Sequence, residues 1–327
     1  MIFILLFVMV TLAILRPSQF YQVRIFQSMM FQFPEYGLLA VGVMLALICG
    51  GTDLSTIGVA NLSGILCAKL LLVLFPAETS GFQTVMAIVI TLVTGLVIGA
   101  ACGAFNALLI YRIEIPAIVA TIGTLRLYTG IGIGLTGGAA VSGFVIGISR
   151  FVQSSLFGIL PIPTLLFLLC VPLLYFLMEK TSFGINLRLQ GTSPKAALYA
   201  GIHKGKIHMQ TYILSGCLAS ITGFIMMGRM NSVKADYGIS YTLLSILICV
   251  LGGISPKGGK GRVFGVALAT VTLQFVSSGM ATFRQLNPFY NQLVFGFLLL
   301  LALLLDHYSD KPRERNLLRK KKVNSCV

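Results

Sequence analysis

The chain has 327 residues, of which 57% are hydrophobic and only 10% charged, with a formal net charge of +15. A soluble domain carries about a quarter charged residues, so no buried core can absorb this much apolar surface and lipid must cover it. Nucleic acid is excluded as the reason for the positive charge, because the basic residues lie in loops between apolar runs and in the tail 311–322, where they read as topology signals.

A spanning helix needs roughly 20 mostly apolar residues, and ten candidate spans are present. Barrel strands, which need about 10 residues of alternating polarity, do not fit runs of this length. The expected fold is an all-α integral membrane protein of about ten transmembrane helices, some broken at Gly-rich points. Residues 1–306 would form one polytopic domain, with a basic cytoplasmic tail over 307–327.

The first span is expected at 2–15. It lacks the charged segment and small-residue cleavage site of a secretory signal and reads as retained. The second, 37–52, has an apolar core of 12 residues, 38–49, which covers about 18 Å of a roughly 30 Å hydrocarbon layer. It runs into Gly50-Gly51-Thr52-Asp53-Leu54-Ser55. An Asp at mid-span costs on the order of 3 kcal/mol, so a break or a wet cavity is the cheaper solution. The glycines permit a break, and Asp53 or Ser55 can cap the next helix, expected over 54–75. Asp53 is then either a cap alone or part of a translocation lining. Lys69 near the end of that helix is expected to snorkel.

Spans follow at 83–110, 117–136 and 155–178. Gly95, Gly99 and Gly103 recur every fourth position, a spacing that lets helix backbones approach closely in lipid. Arg126 falls inside the second of these spans. Intramembrane charges face the bundle interior and find partners, so Arg126 either pairs with Asp53, lines a wet cavity or bonds backbone carbonyls. The glycine-rich stretch 130–143 reads as an outer turn or a broken helix.

The segment 179–208 is the largest loop on its side. Within it Ser193 suits an N-cap, Pro194 the first helical position and Gly201 the stop. A helix of about two turns is too short to be stable alone, so it must dock, either on the membrane face or on a cytosolic protein. The last spans are expected at 209–230, 241–252, 262–282 and 287–306. A second glycine break, 252–261, lacks the Gly-Lys-Ser/Thr ending of a phosphate loop and reads as a tight inner turn. Gly261, Gly265 and Ala269 repeat the small-residue spacing.

Polar groups scattered through the spans, Asp53, Ser55, Asn61, Asn106, Arg126, Gln274 and Ser278, are the candidates for a solute path. Six of the seven cysteines lie in apolar runs and none forms a Cys-x-x-Cys pair, which predicts buried packing residues. His203, His208 and His307 have no metal-ligand spacing. The spans supply no paired carboxylates and no Ser–His or Cys–His pair, so neither a metal site nor catalysis by this chain is expected.

Lys and Arg are enriched in cytoplasmic loops. With both termini cytoplasmic, the inner segments hold Arg112, the basic residues of 179–208, Lys257, Lys260, Arg262 and the tail. The outer segments hold the smaller set Arg16, Arg24, Arg150, Arg229, Lys234 and Arg284. The first span alone disagrees, having basic residues only after it. The outer loops are too short to hold a solute-binding domain, which assigns recognition outside the cell to a separate protein.

Several of these motifs resemble one family. "GGTDLS" (50–55), "IPAIVATIGTLRLYTGIGIGLTGG" (115–138), "GTSPKAALYAGI" (191–202), "SGCLASITGFIMMGRM" (215–230) and "LGGISPKGGKGRVFG" (251–265) are similar, in order and over nearly the whole chain, to signatures of the ribose-type membrane component of ATP-binding cassette importers. The resemblance implies a multi-pass permease of the bacterial cytoplasmic membrane working as a homo- or heterodimer. It implies cytosolic ATP-binding subunits docked through Ser193, Pro194, Ala196, Ala197, Tyr199, Gly201 and Ile202, and an extracytoplasmic binding protein. ATP would be bound by those partners, with no cofactor held here. Ser193 stands where the family commonly has Asn, a departure closer to the autoinducer-2 or rhamnose-like branches, and it leaves the solute open. A secondary transporter would favour more carboxylates in the spans, and an intramembrane enzyme would need a nucleophile and base at membrane depth.

Overall fold

A computed structural model describes residues 2–15, 22–76, 81–282 and 290–304. Its helices are α1 (Ile2–Leu15), α2 (Val23–Ile48), α3 (Thr56–Leu74), α4 (Gly81–Tyr111), α5 (Ala117–Thr136), α6 (Ile146–Gln153), α7 (Ile162–Lys180), α8 (Ser182–Thr192), α9 (Pro194–Tyr199), α10 (Lys204–Met230), α11 (Tyr241–Leu251) and α12 (Val263–Ala281), followed by α13 (Tyr290–Leu304). Among the described residues the only sheet is a hairpin of two-residue strands, β1 (Ser155–Leu156) and β2 (Leu160–Pro161), paired antiparallel. Seven helices, α2, α3, α4, α5, α7, α10 and α12, are long and apolar enough to cross a membrane, while α1, α11 and α13 are shorter apolar helices. The tail 307–327, with His307 and Cys326, lies outside the described residues.

Helix α2 is the axis of the bundle. Every residue from Pro34 to Cys49 is buried, and α7, α10, α11 and α12 pack around it. It starts well before the expected residue 37. The polar turn containing Gln27, Ser28 and Gln32 continues the helix, and Pro34 sits inside it. Proline removes the hydrogen bond to the carbonyl four residues back. That carbonyl, of Met30, accepts instead from the Thr164 hydroxyl of α7, so the helix runs through.

The peripheral helices carry apolar residues outward. Phe82, Val97 and Leu169 are 76%, 63% and 67% exposed, a surface that only lipid covers favourably. Helix α4 buries a single stripe that includes Gly95, Gly99, Gly103 and Asn106. A Cβ at Gly99 would overlap the Gly216 carbonyl, and one at Gly103 the Tyr212 carbonyl. The expected small-residue face is thus where α4 meets α10 backbone to backbone. Gly265 meets the Gly252 carbonyl in the same way. Cys49, Cys67, Cys102, Cys170 and Cys249 are buried and Cys217 is half-buried.

The expected span 155–178 begins later, at Ile162. Gly158, at φ +71°, turns the β1–β2 hairpin, and Pro161 and Pro163 set the start of α7, so the first residues of that apolar run are not helical. The glycine-rich stretch 130–143 stays helical, as the end of α5, to Thr136 and then turns at Gly137, in the left-handed conformation.

The two ends of the bundle differ. At one end lie the C-termini of α2, α4, α8 and α11 with α9, the start of α10 and the loop 252–262. Gly205 lies against the Tyr111 ring, and Gly259 N donates to Ile48 O. Arg112, Arg188, Lys195, Lys204, Lys206, Lys257, Lys260 and Arg262 all fall there. At the other end lie α6, the end of α10 and the start of α11, joined by a Val141–Val233 bridge and a Ser149–Asn231 hydrogen bond.

Candidate functional site

Helix α2 ends in a Schellman motif. Gly50 N donates to Leu47 O at 2.9 Å and Gly51 N to Ala46 O at 3.0 Å, with Gly50 at φ +91°. The chain then crosses residues 52–55 without regular structure and re-enters helix at Thr56. The predicted break is therefore real, and Asp53 organises it. The carboxylate is 2% exposed. Its Oδ1 accepts from Ser55 N at 3.0 Å and Ser55 Oγ at 2.7 Å. Its Oδ2 accepts from Ser215 Oγ of α10 at 2.7 Å.

The other neighbours complete a buried polar cluster. Asn106 Nδ2 of α4 donates to Ser55 Oγ at 2.7 Å, and Tyr128 OH of α5 lies 3.4 Å from Asn106 Oδ1. Thr121 Oγ1 of α5 donates to Thr52 O at 3.1 Å. One irregular turn is thus fastened to α4, α5 and α10. Backbone without regular structure is tolerated at membrane depth only where protein or water satisfies it, and here side chains do so. The Tyr212 hydroxyl and Thr56 Oγ1 are buried without a protein partner, and a Cβ at Gly51 would meet that Tyr212 hydroxyl at 2.7 Å.

Of the predicted path residues, Asp53, Ser55 and Asn106 come together. Arg126 does not join them. The inward face of α5 is Thr121, Thr124 and Tyr128, and Arg126 is exposed, two residues off that stripe. An Asp53–Arg126 pair is accordingly absent, and the Asp is satisfied by hydroxyl and amide donors. Asn61 serves elsewhere, its Nδ2 donating to Ala235 O at 3.1 Å and Tyr237 O at 2.8 Å, which ties the loop before α11 to α3. Gln274 lies towards the other end, accepting from Tyr36 OH and donating to Ser278 Oγ at 2.8 Å.

The sequence reading missed a buried ion pair. Glu35 of α2 is fully buried, and Arg229 of α10 donates to both its oxygens, through Nε to Oε1 and through Nη2 to Oε2 at 2.8 Å. Tyr241 OH lies 3.5 Å from Oε2. Glu35 precedes the long apolar run and Arg229 follows another, so both looked like loop residues. The signal available was that each lies within one helical turn or so of a run long enough to continue. Lys69 reaches the Leu135 carbonyl at the end of α5.

At the basic end, Ser193 N-caps α9, its Oγ accepting from Ala196 N at 3.3 Å, and Pro194 occupies the first turn. Gly201, at φ +74°, closes a second Schellman motif through Gly201 N to Leu198 O and Ile202 N to Ala197 O, both 3.0 Å. Only Ala197 is buried, while Leu198 and Tyr199 are 71% and 90% exposed. A third Schellman motif ends α11 at Gly253. The three glycine segments converge. A Cβ at Gly191 would overlap Ile48 O and lie 2.7 Å from Gly259 N, and one at Gly258 would lie 3.0 Å from the Gly50 Cα. The α2–α3 break, the end of α8 and the 252–261 loop form one backbone knot directly beneath α9.

A helical bundle that is apolar outside, interrupted inside by a polar break, and carries a small exposed helix at its basic end is a polytopic membrane transport protein. The family described as "Branched-chain amino acid transport system / permease component" matches residues 25–303, and the chain belongs to it. It is similar to the autoinducer 2 import system permease protein LsrC of Escherichia coli (strain K12 / DH10B), at 33% identity over 284 residues, 87% of this chain and 79% of the relative. It is also similar to the autoinducer 2 import system permease protein LsrD of the same strain, at 32% identity over 253 residues, 75% of this chain and 72% of the relative. LsrC of Shigella flexneri stands at 33% identity over the same 284 residues as the first. No solved structure matches.

Proposed function

We propose that this permease is the membrane-spanning subunit of an ATP-binding cassette importer that carries a monosaccharide or related small polar molecule across a bacterial cytoplasmic membrane. Ten helices cross or enter the bilayer, with the basic end and both termini in the cytoplasm. The substrate class rests on the likeness to autoinducer 2 import permeases. The observation that carries the mechanism is the backbone knot joining the end of α8, from which α9 leads on, to the end of α2. A partner that grips α9 moves α8 with it, and α8 bears on Ile48 and Gly259 through main-chain atoms that cannot rotate away.

The gripping surface is suited to a protein. Leu198 lines a cleft of about 800 Å³ with Leu108, Tyr111, Arg112, His203 and Lys206 among others, and Tyr199, the next residue, is exposed. An exposed aromatic side chain next to a cleft that carries basic residues fits a cytosolic subunit that presents an apolar pocket with an acidic rim. Two ATP-binding subunits would dock on two permease chains, a homodimer or a pair of related permeases, and a separate extracytoplasmic protein would deliver the solute. ATP is bound and hydrolysed by the partners, so this chain needs no cofactor.

Co-purification tests the reading. An affinity-tagged chain drawn from membranes should bring an ATP-hydrolysing subunit with it, and substituting Tyr199 should release that subunit. Uptake by the chain alone in proteoliposomes, driven by a proton or sodium gradient, would instead establish a secondary transporter.

A further inference from the structure

A second polar site lies at the end of the bundle away from α9. Helices α2, α11, α12 and α13 enclose a cavity of about 220 Å³ lined by Gln32, Tyr36, Ser240, Gln274, Ser277 and Asn291 among others. Its volume is below the roughly 300–1,000 Å³ of sites for drug-sized ligands, which restricts it to a small solute. Its position follows from the chain. α11 and α13 contribute their first turns, α12 residues 273–277 and α2 residues 32 and 36, whereas the knot is built from the C-terminal ends of α2, α8 and α11.

The lining is unusual for a bundle core. Beside Leu244, Leu273 and Phe295 it presents amides, hydroxyls and tyrosines. Gln274 is the hub, with its Oε1 accepting from Tyr36 OH and its Nε2 donating to Ser278 Oγ at 2.8 Å. Asn291 Oδ1 is buried with no protein partner, as is Ser245 Oγ one turn deeper on α11. A buried acceptor left empty costs on the order of 1–3 kcal/mol, so a ligand hydroxyl is the natural donor to it. Tyr36 and Tyr241 stand edge to face, with ring centroids 5.7 Å apart. Behind Tyr241, among the described residues, Glu35 and Arg229 form an ion pair in which each neutralises the other. Among the described residues such a lining offers several donors and acceptors and no charged side chain.

We propose that this cavity is the entry subsite for an uncharged, polyhydroxylated solute of monosaccharide size, with Gln274 and Asn291 as specificity-determining residues. The inference rests on the importer reading above and deepens it. A zwitterionic amino acid would need an unpaired cation and anion in the lining. A polyol needs what is there: paired donor–acceptor amides, an acceptor awaiting a hydroxyl, and tyrosine faces against its C–H surface.

The test uses the full chain assembled with its partner permease, ATP-binding subunits and binding protein in proteoliposomes. Uptake of radiolabelled D-ribose, L-rhamnose, autoinducer 2 and L-leucine is measured for the wild type, Gln274→Ala, Asn291→Leu and Ser277→Ala. The wild type should take up at least one of the first three probes. Gln274→Ala and Asn291→Leu should raise its KM about tenfold while maximal ATP hydrolysis stays within twofold, a split that a folding defect would not produce. Ser277→Ala leaves the Tyr36–Gln274 bond intact and should raise KM about threefold, which keeps the test decisive should the larger changes prevent assembly. Sugar-type uptake with wild-type KM in the variants that assemble overturns the subsite and leaves the importer reading standing. Uptake of L-leucine alone, or of no probe, overturns the sugar-importer reading and the subsite with it.

Discussion

Substitution of Gly191 by Ala probes the backbone knot directly. The added Cβ would overlap the Ile48 carbonyl oxygen and press on Gly259 N at 2.7 Å. Those two atoms are hydrogen-bonded to each other at 2.9 Å. Neither belongs to a side chain, so no rotamer change relieves the clash. Gly50, Gly258 and Gly259 already hold φ values of +91°, +88° and +75°, which leaves the surrounding backbone little room to adjust. Overpacking of this kind costs roughly 1–3 kcal/mol, and loss of the Gly259–Ile48 bond adds about 1 kcal/mol. The expected destabilisation is therefore about 2–4 kcal/mol. In detergent the apparent melting temperature should fall on the order of 5–10 °C. In proteoliposomes uptake per ATP hydrolysed should fall as well, because α8 no longer seats on the end of α2. Gly134→Ala is the control, since a Cβ there meets nothing within 4 Å and Ala is the better helix former by up to about 1 kcal/mol. Wild-type melting and wild-type coupling in Gly191→Ala would refute the knot.

Other substitutions test the remaining contacts. Glu35→Gln leaves the Arg229 guanidinium without its carboxylate and should cost about 3 kcal/mol, most of which the Glu35→Gln/Arg229→Met pair should recover in a double-mutant cycle followed by thermal unfolding. Ser215→Ala removes the donor to Asp53 Oδ2 and should cost about 1–3 kcal/mol, whereas Arg126→Ala should stay within about 0.5 kcal/mol of wild type. Exchanging Asp53 and Arg126 should rescue nothing in uptake; restoration would reinstate their pairing. Tyr199→Ala should leave melting of the isolated chain unchanged and abolish recovery of the ATP-hydrolysing subunit in the pull-down.

Much of the architecture was legible because in a membrane chain composition and run length carry most of the signal. Apolar runs of spanning length, small residues every fourth position on α4 and into α12, and the Ser193–Gly201 brackets of α9 are local features, and local features survive folding. The break at Gly50–Ser55 was equally readable, since a two-glycine stop before a buried Asp leaves few other solutions. Boundaries were less legible. Pro34 marks a helix end by its own chemistry, and only Thr164, distant in sequence, lets α2 continue through it.

What the sequence determined alone is the class: lipid-exposed helices and their order, the turn chemistry at three glycine stops, and the small exposed helix at the basic end. What only the tertiary structure decided is pairing. Asp53 meets Ser215 rather than Arg126, Glu35 meets Arg229, and Gln274 meets Tyr36 across a cavity. The physical reason is rotational. On a uniformly apolar helix no amphipathic stripe states which face looks inward, so the azimuth of each polar residue is fixed only when neighbouring helices pack against it.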